Sequence, residues 1–165
     1  MMDILNELPY KLPGKFYRSP MPYSRMFDPD WRVMPAYRQV GVEVVVVLTS
    51  WDEILFKAGV DLKKEYASAG MDVIYLPTPD FGTPEPEPFR QALGQALQAA
   101  RQGQNVAVHC HAGLGRTGIF ATCLAKGVLG LDGRQAFVWV RQYIPGAVEN
   151  QDQIDFIEEF IYSED

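Results

Sequence analysis

The chain has 165 residues, enough for one domain with a sizeable core, and 15 Lys plus Arg against 21 Asp plus Glu give it a formal charge of −6. That balance argues against nucleic acid as the main partner and against electrostatic docking on an anionic membrane. No apolar run approaches the ~20 residues that span a bilayer, the start lacks the basic region and apolar core of a signal peptide, and two cysteines, Cys110 and Cys123, make no disulfide framework, so a reducing cytoplasm is the expected setting.

Residues 9–35 are rich in Pro and Tyr. With the residues before them they read as an irregular arm, 1–35, packed on a single domain that spans 1–165, with a short strand near Phe16-Tyr17-Arg18. "DPDWRVMPAYRQVG" predicts a helix with Asp28 as N-cap and Pro29 in the first position, disturbed at Pro35. "VEVVVVLTS" is the strongest strand; a run apolar on both faces suits a central parallel position. "DLKKEYASAG" is a short helix closed by Gly70, and "MDVIYLP" is the next strand. "EPEPFRQALGQALQAARQG" is a helix whose Phe89, Leu93, Ala96, Leu97 and Ala100 share a face, ended by Gly103.

The strand Val106–His109 follows, and then "RTGIFATCLAKGVLGL", apolar nearly all round and so expected as a central buried helix. "DGRQAFVWVRQY" and "NQDQIDFIEEFIY" are two further helices, with Ile154, Ile157, Phe160 and Ile161 facing inward in the last. After Val148 the chain carries seven acidic residues and no basic one, read as a solvated helix face in preference to an acidic docking surface. Strands alternating with helices make the class α/β: a mainly parallel sheet of four to five strands flanked by helices. In such sheets ligands sit beyond the carboxyl ends of the strands, so "TSWDE" after Leu48, "PTPDFGTPEPE" after Leu76 and "CHAGLGRTG" after His109 are expected to converge.

The last of these carries the chemistry. Gly113 and Gly115 allow backbone angles other residues resist, so successive N–H groups can face one concavity. Arg116 and Thr117 fall where the next helix begins, and a helix N-terminus adds free donors and partial positive charge. The result is a cradle for a tetrahedral dianion, formed by His111, Ala112, Gly113, Leu114 and Gly115, with the Arg116 guanidinium able to make two parallel bonds to its oxygens. Cys110 lies at its floor, where the same amides stabilise a thiolate, and a thiolate aimed at phosphorus is a nucleophile.

Other readings fit less well. The Gly-Lys-Ser/Thr of a nucleotide P-loop is missing. A metal at His109-Cys110-His111 is disfavoured because in a strand the histidines point opposite to the cysteine and no other ligand cluster stands nearby. No metal or other cofactor is therefore expected. A purely structural cysteine needs neither the arginine nor the glycines. Cys123, about two helical turns on, reads as core filler. The second segment offers a carboxylate: Asp80 sits in a turn stiffened by Pro77, Pro79 and Pro84, with Gly82 as a hinge, where it can protonate a leaving oxygen.

His109-Cys110-x-x-Gly113-x-Gly115-Arg116-Thr117-Gly118 resembles the signature of the cysteine-dependent protein tyrosine phosphatases. "PDFGTP" resembles their general-acid loop, and "IPGAVENQDQIDF" is similar to the segment that carries a water-positioning glutamine in compact dual-specificity-like members, here Gln153. The resemblance covers roughly residues 40 to 160. It implies attack by Cys110, proton transfer by Asp80, charge stabilisation by Arg116, a hydrogen bond from Thr117 to the sulfur, and hydrolysis of a phosphocysteine by a water held by Gln153. His109 is expected to shape the loop through backbone bonds.

The implied partners are phosphorylated proteins met by a monomer, without nucleic acid or membrane. Phosphoinositide-preferring members tend to carry lysines in the loop; here His111 and Leu114 occupy those places, and Ile144 stands where many compact members have arginine. No segment resembles the phosphotyrosine-recognition loop of larger members, so phosphoserine and phosphothreonine are open alongside phosphotyrosine. Trp51, Phe81, Tyr10, Tyr17 and Tyr23 are candidate aromatic walls. Glu53 reads as a helix-start acid, with a second site carboxylate as the sharper alternative, and the role of His111 is open. Hydrolysis of small phosphoesters or phosphoinositides, and silent binding of a phospho-ligand, are the alternative functions.

Overall fold

A computed structural model describes residues 3–162. Glu164 and Asp165, the last two acidic residues of the C-terminal run, lie outside the described residues. Five strands, β1 (Asn6–Leu8), β2 (Phe16–Ser19), β3 (Val42–Val47), β4 (Asp72–Tyr75) and β5 (Asn105–His109), make one sheet in the order β1-β2-β5-β3-β4. Only β1 runs antiparallel to its neighbour; β2, β5, β3 and β4 are mutually parallel. The expected α/β class and central, parallel "VEVVVV" strand are therefore found. The stretch read as an irregular arm contributes more than a short strand: β1 and β2 complete one half of the sheet.

Side chains on a strand alternate between faces, and the two inner strands use both. Val44, Val46, Val106 and Val108 enter a core with α4 (Pro86–Arg101), α5 (Gly115–Leu129), α6 (Gly133–Tyr143) and α7 (Gln151–Glu159). Val45, Val47 and Ala107 enter the opposite core, with α1 (Val33–Val40), α2 (Trp51–Ala58) and α3 (Leu62–Ser68). Each fully buried valine of this kind contributes roughly 1.5–3 kcal/mol. The α5 helix is buried continuously from Gly115 to Ala125, as its all-round apolar surface required. Cys123 is fully buried in this core.

Two local expectations need correction, the helix start at Asp28 and the inward-facing Ile161, while Glu53 does lie at a helix start. The first helix starts at Val33, not at Asp28. The buried Asp28 carboxylate instead accepts the N–H groups of Tyr23, Arg32 and Val33, and Pro35 falls in the first turn, where no intrahelical N–H is needed. "TSWDE" opens a helix, α2, whose N-cap Ser50 accepts the Glu53 N–H. Ile161 is 76% exposed, because α7 ends at Glu159 and Phe160 is already extended. Asp152, Asp155, Glu158 and Glu159 are solvent-exposed.

Candidate active site

The parallel strands bring the three expected segments together at one edge of the sheet. Cys110 follows β5 directly, Glu53 lies in the first turn of α2 after β3, and Asp80 follows β4. A pocket of about 390 Å³ opens there. Its floor and walls include Cys110, His111, Ala112, Leu114, Gly115, Arg116, Asp80 and Phe81, and also Met26, Phe27, Lys57 and Glu149. Cys110 is 3% exposed at its base.

Arg116, equally buried, is held from three sides. Its two terminal nitrogens donate to the two Glu53 carboxylate oxygens at 2.8 and 2.9 Å, one also to the Thr78 carbonyl at 2.9 Å and the other to Asp80 Oδ1 at 3.2 Å. Lys57, one turn after Glu53, bridges Glu53 Oε2 at 2.8 Å and Asp80 Oδ2 at 3.3 Å. Two cations and two carboxylates thus form one closed network. Burial alone would push the Glu53 carboxyl up; the bonds from Arg116 and Lys57 overcome it and hold it at about 2. Glu53 is therefore both a helix-start acid and a site carboxylate. The Ser50-x-x-Glu53 spacing signals a capping box, which accounts for the helix but not for where the carboxylate goes.

The loop itself is shaped by its neighbours. Gly113 has φ +81°, and a Cβ there would meet the Ser19 carbonyl at 2.5 Å. A Cβ on Gly115 would meet the Glu149 carboxylate at 2.7 Å, so this rim acid lies close against the cradle. His109 is fully buried. Its Nδ1 lies 3.0 Å from the Cys110 carbonyl and its Nε2 2.8 Å from the Tyr66 hydroxyl. A carbonyl only accepts, so Nδ1 carries the proton and Nε2 accepts from Tyr66. Burial pushes this imidazole down to about 4, keeping it neutral. His111 meets Ser24 Oγ through Nε2 at 3.0 Å and packs edge-to-face with Phe27 at 4.8 Å between ring centroids, and its carbonyl accepts the Met21 N–H. Burial pushes its imidazole down too.

Two expected site residues sit differently. Gln153 is buried, with Oε1 accepting the Glu149 N–H and Nε2 donating to the Gly82 carbonyl at 3.2 Å. With Asn150, whose amide donates to the Phe81 carbonyl at 2.8 Å, it ties the acid loop to the start of α7. The Thr117 hydroxyl is buried and has no hydrogen-bond partner among the described residues, so the expected bond to the Cys110 sulfur is not formed here. Of the candidate aromatic walls only Phe81 lines the pocket. Tyr10 packs on Phe16 and Trp139, Tyr17 is buried, Tyr23 packs on Trp31, and Trp51 stacks on Tyr75 at 4.8 Å. The opposite wall is Met26 and Phe27, which carried no sequence signal beyond their place in a Pro- and Tyr-rich stretch.

A cysteine in a glycine-rich loop under a helix N-terminus, with a paired arginine and an aspartate across the mouth, defines the class of cysteine-based phosphatases. A family model described as "Tc-R-P: Polymorphic toxin system, DSP-PTPase phosphatase" matches residues 23–128, and the chain belongs to this dual-specificity-type family. Among solved structures it is similar to Tk-PTP in its active form, with 30% identity over 98% of this chain and all of that one, at a TM-score of 0.76. It shares the fold of kinase-associated phosphatase, with 18% identity over 96% of this chain and 94% of that one, at a TM-score of 0.83. Among curated proteins it is 35% identical over 66 residues to protein tyrosine phosphatase domain-containing protein 1 of Danio rerio, a match covering 40% of this chain and 9% of that protein. The chain thus spans less than a tenth of the length of such curated relatives.

Proposed function

We propose that the chain hydrolyses phosphomonoesters in proteins, phosphotyrosine above all and phosphoserine or phosphothreonine besides, through a phosphocysteine intermediate. The convergence of Cys110 and Arg116, both after β5, with Asp80, after β4, in one pocket carries this reading. The Cys110 thiolate attacks phosphorus as the bond to the ester oxygen breaks, and Asp80 gives that oxygen its proton. Arg116 spends four of its five N–H groups on Glu53, Thr78 and Asp80. An incoming phosphate takes Nε–H and the N–H now given to Asp80; Asp80, released from Arg116, takes up a proton from solvent and holds it for the leaving group. Glu53 keeps its two bonds throughout and so fixes the plane of the guanidinium.

In the second step Asp80, now a carboxylate, takes a proton from water. The oxygen attacks phosphorus and the S–P bond breaks, returning the thiolate and releasing phosphate. Gln153 orients that water once it trades its bond to the Gly82 carbonyl, and the Thr117 hydroxyl, buried in the first turn of α5, turns to donate to the departing sulfur. His111, Ala112, Gly113, Leu114 and Gly115 contribute the amides that receive the equatorial oxygens. The apolar rim favours an aryl ester: Met26, Phe27 and Phe81 are 71%, 37% and 63% exposed around the pocket mouth, and a phenyl ring seated among them would bury that surface.

Steady-state hydrolysis of p-nitrophenyl phosphate and of phosphotyrosine and phosphoserine peptides tests this. Cys110→Ser is expected to lose at least about 10⁴-fold in turnover, and retained activity overturns the mechanism. Asp80→Asn is expected to lose about 10²–10⁴-fold on peptides and less on p-nitrophenyl phosphate, whose phenolate leaves without a proton. Faster turnover of inositol phosphates or sugar phosphates than of any phosphopeptide would move the substrate class away from proteins.

A further inference from the structure

A second guanidinium is buried at the same loop. Arg18, on β2, is 3% exposed. The parallel register pairs Arg18 with Val108 and Ser19 with His109, which puts the end of β2 level with the point where the cysteine loop leaves the sheet. Nε donates to the Gly113 carbonyl at 3.0 Å and one terminal nitrogen to the Ala112 carbonyl at 2.7 Å. The other terminal nitrogen is anchored by Asn6 Oδ1 at 2.9 Å and the Asp3 carbonyl at 3.2 Å. No carboxylate lies within ion-pair distance of Arg18 among the described residues, in contrast to Arg116 with Glu53 and Asp80.

In a trans peptide the carbonyl and the following N–H point in opposite directions. A loop that aims its N–H groups at a bound anion must therefore turn its carbonyls into the protein, where each needs a donor. Fixing the carbonyls of Ala112 and Gly113 fixes the N–H groups of Gly113 and Leu114 on the opposite side. The planar fork of arginine can serve two consecutive carbonyls from one edge while its far nitrogen is held; an ammonium cannot. A buried guanidinium without a counter-ion is costly, and the groups that compensate it are the carbonyls in front and the anionic site beyond them. Burial pushes Arg18 down to about 10, which leaves it charged at neutral pH.

We propose that Arg18 is a positioning residue for the phosphate cradle, holding the Ala112 and Gly113 carbonyls into the protein, away from the pocket, so that the amides of Gly113 and Leu114 face the bound anion. This rests on the phosphatase reading of the loop. The test measures tungstate binding by calorimetry, which needs no turnover, beside kcat and KM on p-nitrophenyl phosphate, for wild type, Arg18→Met, Arg18→Lys and Asn6→Ala, all well below their melting temperatures. Arg18→Met is expected to weaken tungstate by at least about tenfold and to raise KM more than it lowers kcat. Arg18→Lys, which keeps the charge but not the fork, is expected to recover less than half of that loss on a logarithmic scale. Asn6→Ala, which removes only the rear anchor, is expected to shift both in the same direction by a smaller factor and keeps the test readable if Arg18→Met does not fold. Tungstate affinity within twofold of wild type in Arg18→Met, or in Asn6→Ala where that is the folded variant, overturns the proposal, as does full recovery by lysine. Wild-type protein that binds tungstate but does not hydrolyse p-nitrophenyl phosphate overturns the phosphatase reading alone.

Discussion

Arg116 shows how much of a side chain's setting lies outside its own motif. Its identity was legible from the Cys110–Gly118 pattern, because few other tasks call for a cysteine, two glycines and an arginine at that spacing. Its orientation was not, because it depends on Glu53, 63 positions away. The spacing of Ser50 and Glu53 indicates a helix start, and a sequence does not say where a carboxylate points once the backbone has been capped by Ser50 alone. Arg18 was still less visible: a lone cation in the short strand "FYRS" gives no period or motif to read. Glu53→Ala strips the buried Arg116 of its two-toothed partner. The expected result is a loss of about 3 kcal/mol in denaturant unfolding and of about 10²-fold in kcat/KM on p-nitrophenyl phosphate as the guanidinium loses its fixed plane. A folded variant of unchanged stability would show that Asp80 and the Thr78 carbonyl suffice to hold Arg116.

At the scale of elements, the long periodic segments and the short α3, β2 and β4 were readable, whereas α2 and β1 were not. The α4 and α5 helices follow from their apolar patterns, whereas α2 has eight residues and exposes Leu55 and Phe56, so no clear stripe marks it. The start of α1 was displaced because Asp28 accepts the N–H groups of Tyr23, Arg32 and Val33 rather than opening a helix at its own position. The start of α7 has a second use. Its N-cap Asn150 accepts the Gln153 N–H through Oδ1 and donates to the Phe81 carbonyl through its amide, while Gln153 reaches the Gly82 carbonyl. One helix end thus latches the loop that carries Asp80. Asn150→Asp keeps the cap acceptor and removes the donor to Phe81. Hydrogen exchange is expected to speed up in residues 79–84 while α7 keeps its protection, with turnover lowered several-fold; unchanged exchange in that loop would exclude the latch.

For the whole molecule the sheet order decides which loops meet, and the alternation of strands and helices was enough to anticipate that meeting. It was not enough to place β1 and β2, since the pairing of so short an N-terminal strand with β5 is a non-local choice. That pairing sets the depth at which His109 is buried, and His109 links stability to pH. Unfolded, its imidazole titrates near 6.5; folded, near 4. The unfolded chain therefore takes up the proton first, so stability is full above pH 6.5 and falls progressively toward pH 4, by about 3 kcal/mol. Glu53 adds a separate loss below pH 4.5, its unfolded value. Urea unfolding at pH 7 and pH 4.5 is expected to show a smaller drop for His109→Gln than for wild type, whatever the variant's starting stability; equal drops would exclude His109 as the source. The wall of Met26 and Phe27 belongs to neither the sheet nor the three loops at its edge. It is a separate segment, fastened to the site through Ser24, Met21 and His111, and its own turn is pinned by Asp28. On the proposed function, chemistry and selection fall to different stretches of chain: exchanging residues 21–27 is expected to change which esters are accepted while Cys110, Arg116 and Asp80 stay where they are.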